Sequence, residues 1–382
     1  NRTSFGNEHL RKMTDAIAHR GPDGEGYWYN EDKTVLLGHR RLSVIDLSEA
    51  GFQPMPYLGR YRIIHNGEIY NYPELKEVLQ KKGYVFHSQT DTEVILASYD
   101  HWKEDCVDHF DGMFAFAVWD EKEKLLFAAR DRFGEKPFYY HFNGEQLLFA
   151  SEIKALWAAG IPKTMNRKML FNFITIGYTD NPADPGETFY EEIRKLPAAT
   201  FLHFQAGSLT LEKYWDIDPE KEDRGITDET AMEQFSDLFA TSVKRRLRSD
   251  VALGTSLSGG LDSSAVAALA KPRKAFTAVF PGFEKDESVF SKQLADTFGI
   301  EQFTVAVSGD DVAANWEKLC WHQEEPFGSA SIAAQYKVYE LARQQGVTVL
   351  LDGQGADETM AGYLKYYKWY WKELFRKKRL YC

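Results

Sequence analysis

The chain has 382 residues, of which 43% are hydrophobic and 14% aromatic, so it can bury more than one core and does not have the composition of a disordered chain. Its net charge of −11 argues against a general nucleic-acid binder, and no apolar run approaches the roughly 20 residues of a membrane-spanning helix. Cys106, Cys320 and Cys382 are widely separated and no Cys/His cluster suits zinc, so we predict a cytoplasmic protein with small-molecule or protein partners.

The first predicted elements are short strands separated by turns, over about residues 33 to 150. The apolar runs Phe114–Trp119 and Leu125–Ala129 flank a polar stretch and predict a β-hairpin within an antiparallel sheet. The segment Pro73–Lys82 has an apolar face and predicts a short helix that Gly83 ends.

Four motifs in this half belong together: His19–Gly24, His39–Asp46, His65–Asn71 and Thr90–Glu93. Their combination resembles the class II glutamine amidotransferase domain. The resemblance implies an α+β N-terminal-nucleophile αββα sandwich over residues 1–215 that releases ammonia from glutamine.

The residue chemistry suits such a pocket. Arg41 offers a planar fork for the α-carboxylate of glutamine, and Asp91 offers a partner for its α-ammonium group. The side-chain N–H of Asn66 and the backbone N–H of Gly67 can stabilise the oxyanion formed when the amide is attacked. The implied glutamine-binding set is Arg41, Leu42, Val44, Ile45, Asn66, Gly67, Glu68 and Asp91, with Asn66 and Gly67 as the catalytic pair.

The nucleophile of that family, an N-terminal cysteine, has no counterpart here. The sequence begins Asn1-Arg2-Thr3-Ser4 and holds no cysteine before Cys106, which is predicted to be a buried structural thiol. We favour the interpretation that preceding residues are missing from the sequence, because Arg41, Asn66 and Asp91 occur together. The alternative is a relative without glutaminase activity, as β-lactam synthetases are.

The polar stretch 216–227 contains Pro219 and Gly225 and predicts a linker to a second domain at 228–382. Thr227 can cap a helix with a buried stripe, and alternating strands and helices then predict a parallel α/β sheet. The stripe comprises Met232, Phe235, Phe239, Val243 and Leu247.

The run Ser256–Val266, SLSGGLDSSAV, lies where a predicted strand ends and a helix begins, so backbone N–H groups, hydroxyls and the helix N-terminus converge on a phosphate. An aspartate beside phosphates indicates Mg²⁺. The run resembles the pyrophosphate loop of the ATP pyrophosphatase superfamily. The implied ATP-binding residues are Leu257, Ser258, Gly259, Gly260, Leu261, Asp262, Ser263, Ser264, Val279, Asp352 and Gly353.

A second acidic loop, Leu351–Glu358, follows another predicted strand and should open at the same sheet edge. It is similar to the Ser-Gly-Glu-Gly-Ala-Asp-Glu stretch of asparagine synthetases, with Asp352 and Gln354 in place of the serine and the first glutamate. Asp262 and Asp357 are the implied metal ligands.

The resemblance over the whole chain implies a glutamine-dependent asparagine synthetase, an ATP-dependent amide ligase that adenylates the side chain of aspartate. It implies ATP and Mg²⁺ as cofactors and small-molecule substrates, and it is compatible with a homodimer. An amidotransferase for another carboxylate, such as a cell-wall or sugar-acid precursor, stays open. So do a tRNA-thiolating pyrophosphatase, which the acidic charge disfavours, and a non-catalytic binding protein.

The closing run Tyr363–Cys382 interleaves basic and aromatic residues. Leu364, Tyr367, Trp371 and Leu374 recur at helical spacing, so a helix with a solvated basic face is predicted rather than a nucleic-acid site. The run Glu324–Ser331 precedes another predicted helix and is expected near the nucleotide, mainly as a helix cap.

Overall fold

The computed structural model describes residues 5–223, 225–284 and 286–377, so Lys378, Arg379 and Cys382 of the closing run lie outside it. The described chain forms two compact units. The first comprises residues up to Glu233 with Arg248–Asp250 and Asn315–Ser329, and the second comprises Gln234–Leu247, Val251–Ala314 and residues from Ala330 onward. This division follows contacts rather than chain order, and the linker at 216–227 stays a prediction.

The first unit contains helices and an antiparallel set of strands. Its helices are α1 (Asn7–Ala16), α2 (Tyr72–Lys81), α3 (Asp91–Trp102), α4 (Ile153–Ala158) and α5 (Arg167–Ile176). Its strands are β1 (Gly24–Tyr29), β2 (Leu36–Arg41), β3 (Met55–Tyr57), β4 (Tyr61–Ile69), β5 (Gly112–Asp120), β6 (Leu125–Arg130), β7 (Tyr139–Phe142), β8 (Leu147–Ala150), β9 (Arg194–Lys195), β10 (Thr200–Gln205) and β11 (Ser208–Lys213). The predicted hairpin is β5–β6, in which Val118 pairs with Phe127.

Six strands form one sheet in the order β11-β10-β6-β5-β4-β3. The alternation along β5 directs Phe116 toward the buried cluster that contains Leu79 and Ile95 of α2 and α3. Ala117 points the other way, into a cluster with Leu37 and Tyr140 of the small sheets β1-β2 and β8-β7-β9.

A third buried cluster joins the small sheets to the outer helices, with Leu148 of β8, Leu156 of α4 and Met13 of α1. The layers of the first unit are therefore helices, sheet, sheets and helices. This order confirms the predicted αββα sandwich.

From Asp228 the chain alternates helices and strands. The helices are α6 (Asp228–Arg246), α7 (Leu261–Ala270), α8 (Ser288–Phe298), α9 (Gly309–Gln323), α10 (Ser331–Gln344), α11 (Ala356–Met360) and α12 (Leu364–Arg376). The strands are β12 (Leu253–Ser256), β13 (Lys274–Val279), β14 (Glu301–Ala306) and β15 (Val349–Leu351), and they form a parallel sheet in the order β14-β13-β12-β15. The predicted α/β sheet is thereby confirmed.

The order of this sheet reverses at β12. The chain moves outward through β13 and β14 and returns with β15 on the other side of β12. Loops that follow strands on either side of such a switch point form the usual ligand crevice of open α/β sheets.

Two predicted apolar faces are wrong in part. Thr227 caps α6 as predicted, because its hydroxyl accepts the N–H of Thr230 at 3.2 Å. In the stripe predicted to be buried on α6, Val243 is buried, whereas Met232 and Phe235 are exposed. Tyr367 and Trp371 of α12 are exposed as well. Helical periodicity identifies an apolar face, but it does not show that a neighbouring element covers the face. Among the described residues, no helix has both the length and the apolar character needed to cross a membrane.

Candidate active sites

The predicted carboxylate anchor, Arg41, ends β2 and is buried. One terminal nitrogen donates to the carbonyl of Ser48 at 2.7 Å, and the other donates to the carbonyl of Asp46. The guanidinium lies over the ring of Phe52, 5.2 Å from its centroid, and burial lowers its pKa. A Cβ at Gly51 would approach the guanidinium to 2.0 Å, which explains the glycine. The loop 46–53 thus fixes the direction of the arginine fork.

Three other predicted glutamine contacts follow Arg41 on the connecting segment. Leu42 is exposed, whereas Val44 and Ile45 are half-buried. The carbonyl of Val44 accepts the N–H of Asp250 at 2.9 Å, and the carboxylate of Asp250 accepts the N–H of Asp46 at 2.8 Å. The backbone of this segment is therefore held in place, while its contacts with a substrate stay a prediction.

The predicted oxyanion pair lies near the end of β4. The side-chain nitrogen of Asn66 is buried and has no hydrogen-bond partner within the described ranges. Gly67 has a φ of 142°, and a Cβ there would come within 2.1 Å of the carbonyl oxygen of Met113. The structure therefore places an unused amide donor beside a backbone that only glycine tolerates.

Two buried carboxyl groups adjoin this pair. Asp91 begins α3 and accepts the N–H of Ile69 at 2.8 Å. Burial raises the pKa of Asp91 to about 6, and burial together with Asp91 raises the pKa of Glu68 to about 7. A bound ammonium group would favour the ionised forms of both groups, which is the environment expected for the α-amino group of glutamine.

A group of polar residues lies next to Asn66 in the structure, and sequence reasoning missed one of them, Gln53, together with the contacts within the group. The ring of His39 makes a 3.1 Å hydrogen bond with the carbonyl of His65, the side chain of Gln53 accepts the N–H of His65 at 2.6 Å, and Thr92 contacts both Gln53 and His65. Burial lowers the pKa of His39 to about 4 and that of His65 to about 3, so both rings are neutral near pH 7. No local pattern gives these contacts, because Gln53 and His65 are not neighbours in sequence.

The predicted phosphate loop of the second unit is held by hydrogen bonds among its own residues. The side-chain oxygens of Ser258 and Ser263 are 3.0 Å apart, and Ser258 accepts the N–H of Gly260 at 3.2 Å. The hydroxyl of Ser264 donates to the carbonyl of Gly260 at 2.6 Å. Gly259 has a φ of 93° and a Cβ there would lie 2.8 Å from the nitrogen of Ser291, so the loop needs this glycine.

Helix α7 begins at Leu261 without a side-chain cap, which leaves N–H groups of its first turn for an anion. Leu257 is buried under the loop, whereas Leu261 is exposed. Val279 ends β13, the strand that pairs with β12, so it lies at the same edge of the sheet.

The loop after β15 contacts the loop after β12. A Cβ at Gly353 would lie 2.9 Å from the Cβ of Asp262 and 2.9 Å from the nitrogen of Ser263. Asp352 accepts the hydroxyl of Tyr339 at 3.0 Å. The two loops predicted to share the nucleotide therefore pack against each other.

The two residues that would hold Mg²⁺ are aspartates, and carboxylate oxygens are suitable ligands for this ion. Asp262 lies in the first turn of α7 and Asp357 in the first turn of α11, where its carboxylate packs against Gly362. Within ranges 5–223, 225–284 and 286–377, no group of three or more His, Cys, Asp or Glu side chains is arranged to hold a metal. Mg²⁺ commonly takes one or two protein carboxylates with phosphates and water as its other ligands.

Glu324 has a different role from the one expected near the nucleotide. Its carboxylate accepts the backbone N–H groups of Ile153 at 2.7 Å and Lys154 at 2.5 Å, at the start of α4 in the first unit. The helix that follows, α10, begins after Ala330 without a side-chain cap. The predicted helix cap is therefore wrong.

The fold defines a class of protein: an amidotransferase-type αββα sandwich followed along the chain by a parallel α/β sheet, with the predicted phosphate loop at the switch point of that sheet. Residues 1–215 match the family model described as a glutamine amidotransferase domain, and residues 234–380 match the asparagine synthase model. A putative glutamine-hydrolysing asparagine synthetase of Methanocaldococcus jannaschii is 38% identical over 97% of this chain and 75% of its own length. The chain belongs to the glutamine-hydrolysing asparagine synthetase family.

Two relatives from Bacillus subtilis are also similar. Its glutamine-hydrolysing asparagine synthetases 1 and 3 are each 36% identical over 93% of this chain. The chain spans 56% and 60% of the length of these two relatives. Among solved structures, the glutamine phosphoribosylpyrophosphate amidotransferase of Bacillus subtilis has a TM-score of 0.42 at 15% identity, over 78% of this chain and 63% of its own.

Proposed function

We propose that the protein makes asparagine from aspartate, with glutamine as the nitrogen donor and ATP as the energy source. The single observation that carries the synthetase half is the contact of Gly353 with Asp262 and Ser263, which joins two dipole-rich loops at the switch point of the sheet. Membership of the asparagine synthetase family supports aspartate as the acceptor.

In the first unit, Arg41 binds the α-carboxylate of glutamine and Asp91 its α-ammonium group. The side-chain nitrogen of Asn66 and the backbone N–H of Gly67 donate to the oxyanion as the amide is attacked. No residue of this chain is assigned as the nucleophile, because it holds no cysteine before Cys106.

In the second unit, an aspartate carboxylate oxygen attacks the α-phosphorus of ATP, and pyrophosphate leaves. The backbone N–H groups at the start of α7 and the loop serines bind the departing pyrophosphate. Asp262 and Asp357 would hold Mg²⁺, which when bound neutralises charge on the phosphates. Ammonia then attacks the acyl carbon, AMP leaves, and the surplus proton passes to solvent.

We also propose that Mg²⁺ is the metal, that the protein forms a homodimer and that it is located in the cytoplasm.

The test is product analysis with the full-length protein. We expect asparagine, AMP and pyrophosphate in equal amounts, dependent on aspartate and on glutamine or ammonia, and loss of at least about 100-fold in rate in Asp262→Asn. Asp296→Asn is the matched control, since Asp296 pairs with Lys292 on the surface of α8. Release of ADP and phosphate, or full activity of Asp262→Asn, would reject the assignment.

An acceptor other than aspartate is the second candidate. Asp352 and Gln354 occupy positions where the similar asparagine synthetase loop has serine and glutamate, so the acceptor side of this site differs. The same assay with a series of carboxylic acids identifies the acceptor, and a sugar acid preferred to aspartate would replace the first proposal while retaining adenylation.

A further inference from the structure

The edge of β4 that leads to Asn66 and Gly67 is only partly covered by a strand. β3 pairs with β4 from Tyr61 to Ile63, and the register ends there. In an antiparallel ladder, the N–H and C=O of one residue point to the same side. His65 directs both groups to this edge, where its N–H donates to the side chain of Gln53 at 2.6 Å and its C=O lies 3.1 Å from the ring nitrogen of His39.

Two side chains therefore take the place of a neighbouring strand immediately before the oxyanion pair. Burial keeps His39 neutral, with a pKa of about 4, so its ring carries one N–H, and the contact with the carbonyl of His65 assigns that proton to Nε2. Both contacts lie on the same edge of β4: Gln53 orients the Ile64–His65 peptide through the N–H of His65, and His39 orients the His65–Asn66 peptide, which leads into Asn66.

Gln53 also reaches the helix that carries Asp91. Its side-chain nitrogen donates to the hydroxyl of Thr92 at 3.4 Å, and the same hydroxyl lies 3.3 Å from Nδ1 of His65. The three side chains close a small network between the edge of β4 and the first turn of α3. Gln53 is the member that contacts both the backbone of β4 and the helix.

The same loop holds Arg41. At one end of the loop 46–53, the carbonyls of Asp46 and Ser48 accept hydrogen bonds from the guanidinium of Arg41. At the other end, Gln53 contacts His65. The loop is itself fixed by Ser48, which accepts the N–H of Ala50 at 3.2 Å, and by the contact of Gly51 with Arg41. One short segment thereby links the carboxylate anchor to the oxyanion strand.

We propose that Gln53 is a positioning residue for glutamine hydrolysis, which sets the Asn66–Gly67 backbone through His65 and links it to the loop that holds Arg41. This inference rests on the proposed glutaminase activity of the first unit. Gln53 acts through the backbone of β4 and does not touch glutamine. Its loss therefore lowers stabilisation of the transition state more than it lowers binding of the substrate.

The experiment compares Gln53→Ala and Gln53→Glu with the full-length wild type. We expect Gln53→Ala to lower kcat for glutamine hydrolysis at least about tenfold, with KM changed less than about twofold and ammonia-dependent synthesis unchanged. Gln53→Glu keeps an oxygen that accepts the N–H of His65, so it should recover part of kcat. Gln80→Ala, on the exposed side of α2, is the control.

Several results would overturn the inference. An unchanged kcat would show that Gln53 does not position the strand. A raised KM with normal kcat would make it a binding residue, and equal loss of glutamine- and ammonia-dependent synthesis would make it a residue of general stability. A wild type that makes asparagine from ammonia but hydrolyses no glutamine would instead reject the glutaminase proposal, and this inference with it.

Discussion

Glu68, a member of the predicted glutamine pocket, makes the stability of the folded protein depend on pH. Its folded pKa of about 7 lies above its ordinary value of 4.5, because burial and the nearby Asp91 disfavour the charged form. The native state therefore holds a proton that the unfolded chain releases between pH 4.5 and about 7. Stability that depends on this proton is complete below pH 4.5 and is lost as the pH rises through the folded pKa.

Glu68→Gln should therefore stabilise the protein above pH 7 and not below pH 4.5. The amide cannot ionise, so the variant avoids the cost of a buried charge, which is on the order of 3 kcal/mol for a shift of this size. Urea unfolding at both ends of the pH range measures the difference. The exposed Glu31→Gln is the control, and a gain that is equal at both ends would contradict the burial of Glu68.

At the scale of single residues, the sequence indicates which functional groups are present, but it does not indicate which residues they contact. The motifs around Arg41, Asn66 and Asp91 named the residue types of a glutamine pocket, because each has a distinct functional group. The contacts of Gln53 with His65 and of Gly51 with Arg41 depend on how a loop folds back on a strand. Local patterns do not encode such contacts.

At the scale of elements, one carboxylate ties two parts of the first unit together. Glu152 precedes α4 and binds Lys154 at 2.5 Å, Arg20 at 2.9 Å and His19 at 3.1 Å. Burial alone would raise the pKa of Glu152, but hydrogen bonds from these three residues outweigh it and lower the pKa to about 2. The cluster joins the turn Ala18–Arg20 to the start of α4.

Glu152→Gln should destabilise the protein by about 3 kcal/mol near neutral pH, because the half-buried Arg20 and His19 lose their anion and the buried Lys154 keeps only Glu324. The folded pKa lies below the ordinary value of 4.5, so the contribution of Glu152 is present above pH 4.5 and is lost as the pH falls toward about 2. Thermal or urea unfolding across this range measures it.

Glu191→Gln, an exposed carboxylate of the same unit, is the control and should change the unfolding free energy little. A Glu152→Gln variant as stable as the wild type at neutral pH would show that the cluster contributes no net stabilisation.

Most helices and strands could be predicted from the sequence, but whether a neighbouring element packs against their apolar faces could not. The hairpin β5–β6, the helix α2 and the alternation from β12 to β15 follow from periodicity and turn residues. The exposed Phe235 of α6 and Trp371 of α12 did not follow, because a periodic face is the same in sequence whether or not it is covered. The contact of the β12 and β15 loops required only the parallel order, which alternation favours.

At the scale of the whole molecule, the proposed function assigns to one chain a pocket for an amino-acid amide and a site for a nucleotide. The first proposed site contains buried carboxyl groups and an arginine held by a loop, and the second contains the backbone N–H groups of a helix start and two carboxylates. Their chemistry is different, so substitutions such as Gln53→Ala and Asp262→Asn should separate the supply of ammonia from the activation of the acceptor.

The central claim is that the acceptor carboxylate is activated by adenylation, and an isotope experiment tests it most directly. Aspartate labelled with oxygen-18 in its side-chain carboxylate is incubated with the full-length protein, ATP, Mg²⁺ and ammonia, and the phosphorus products are analysed by mass spectrometry. Adenylation predicts that one labelled oxygen appears in AMP and none in pyrophosphate. Label in inorganic phosphate with formation of ADP, or unlabelled AMP alongside labelled asparagine product, would contradict the account.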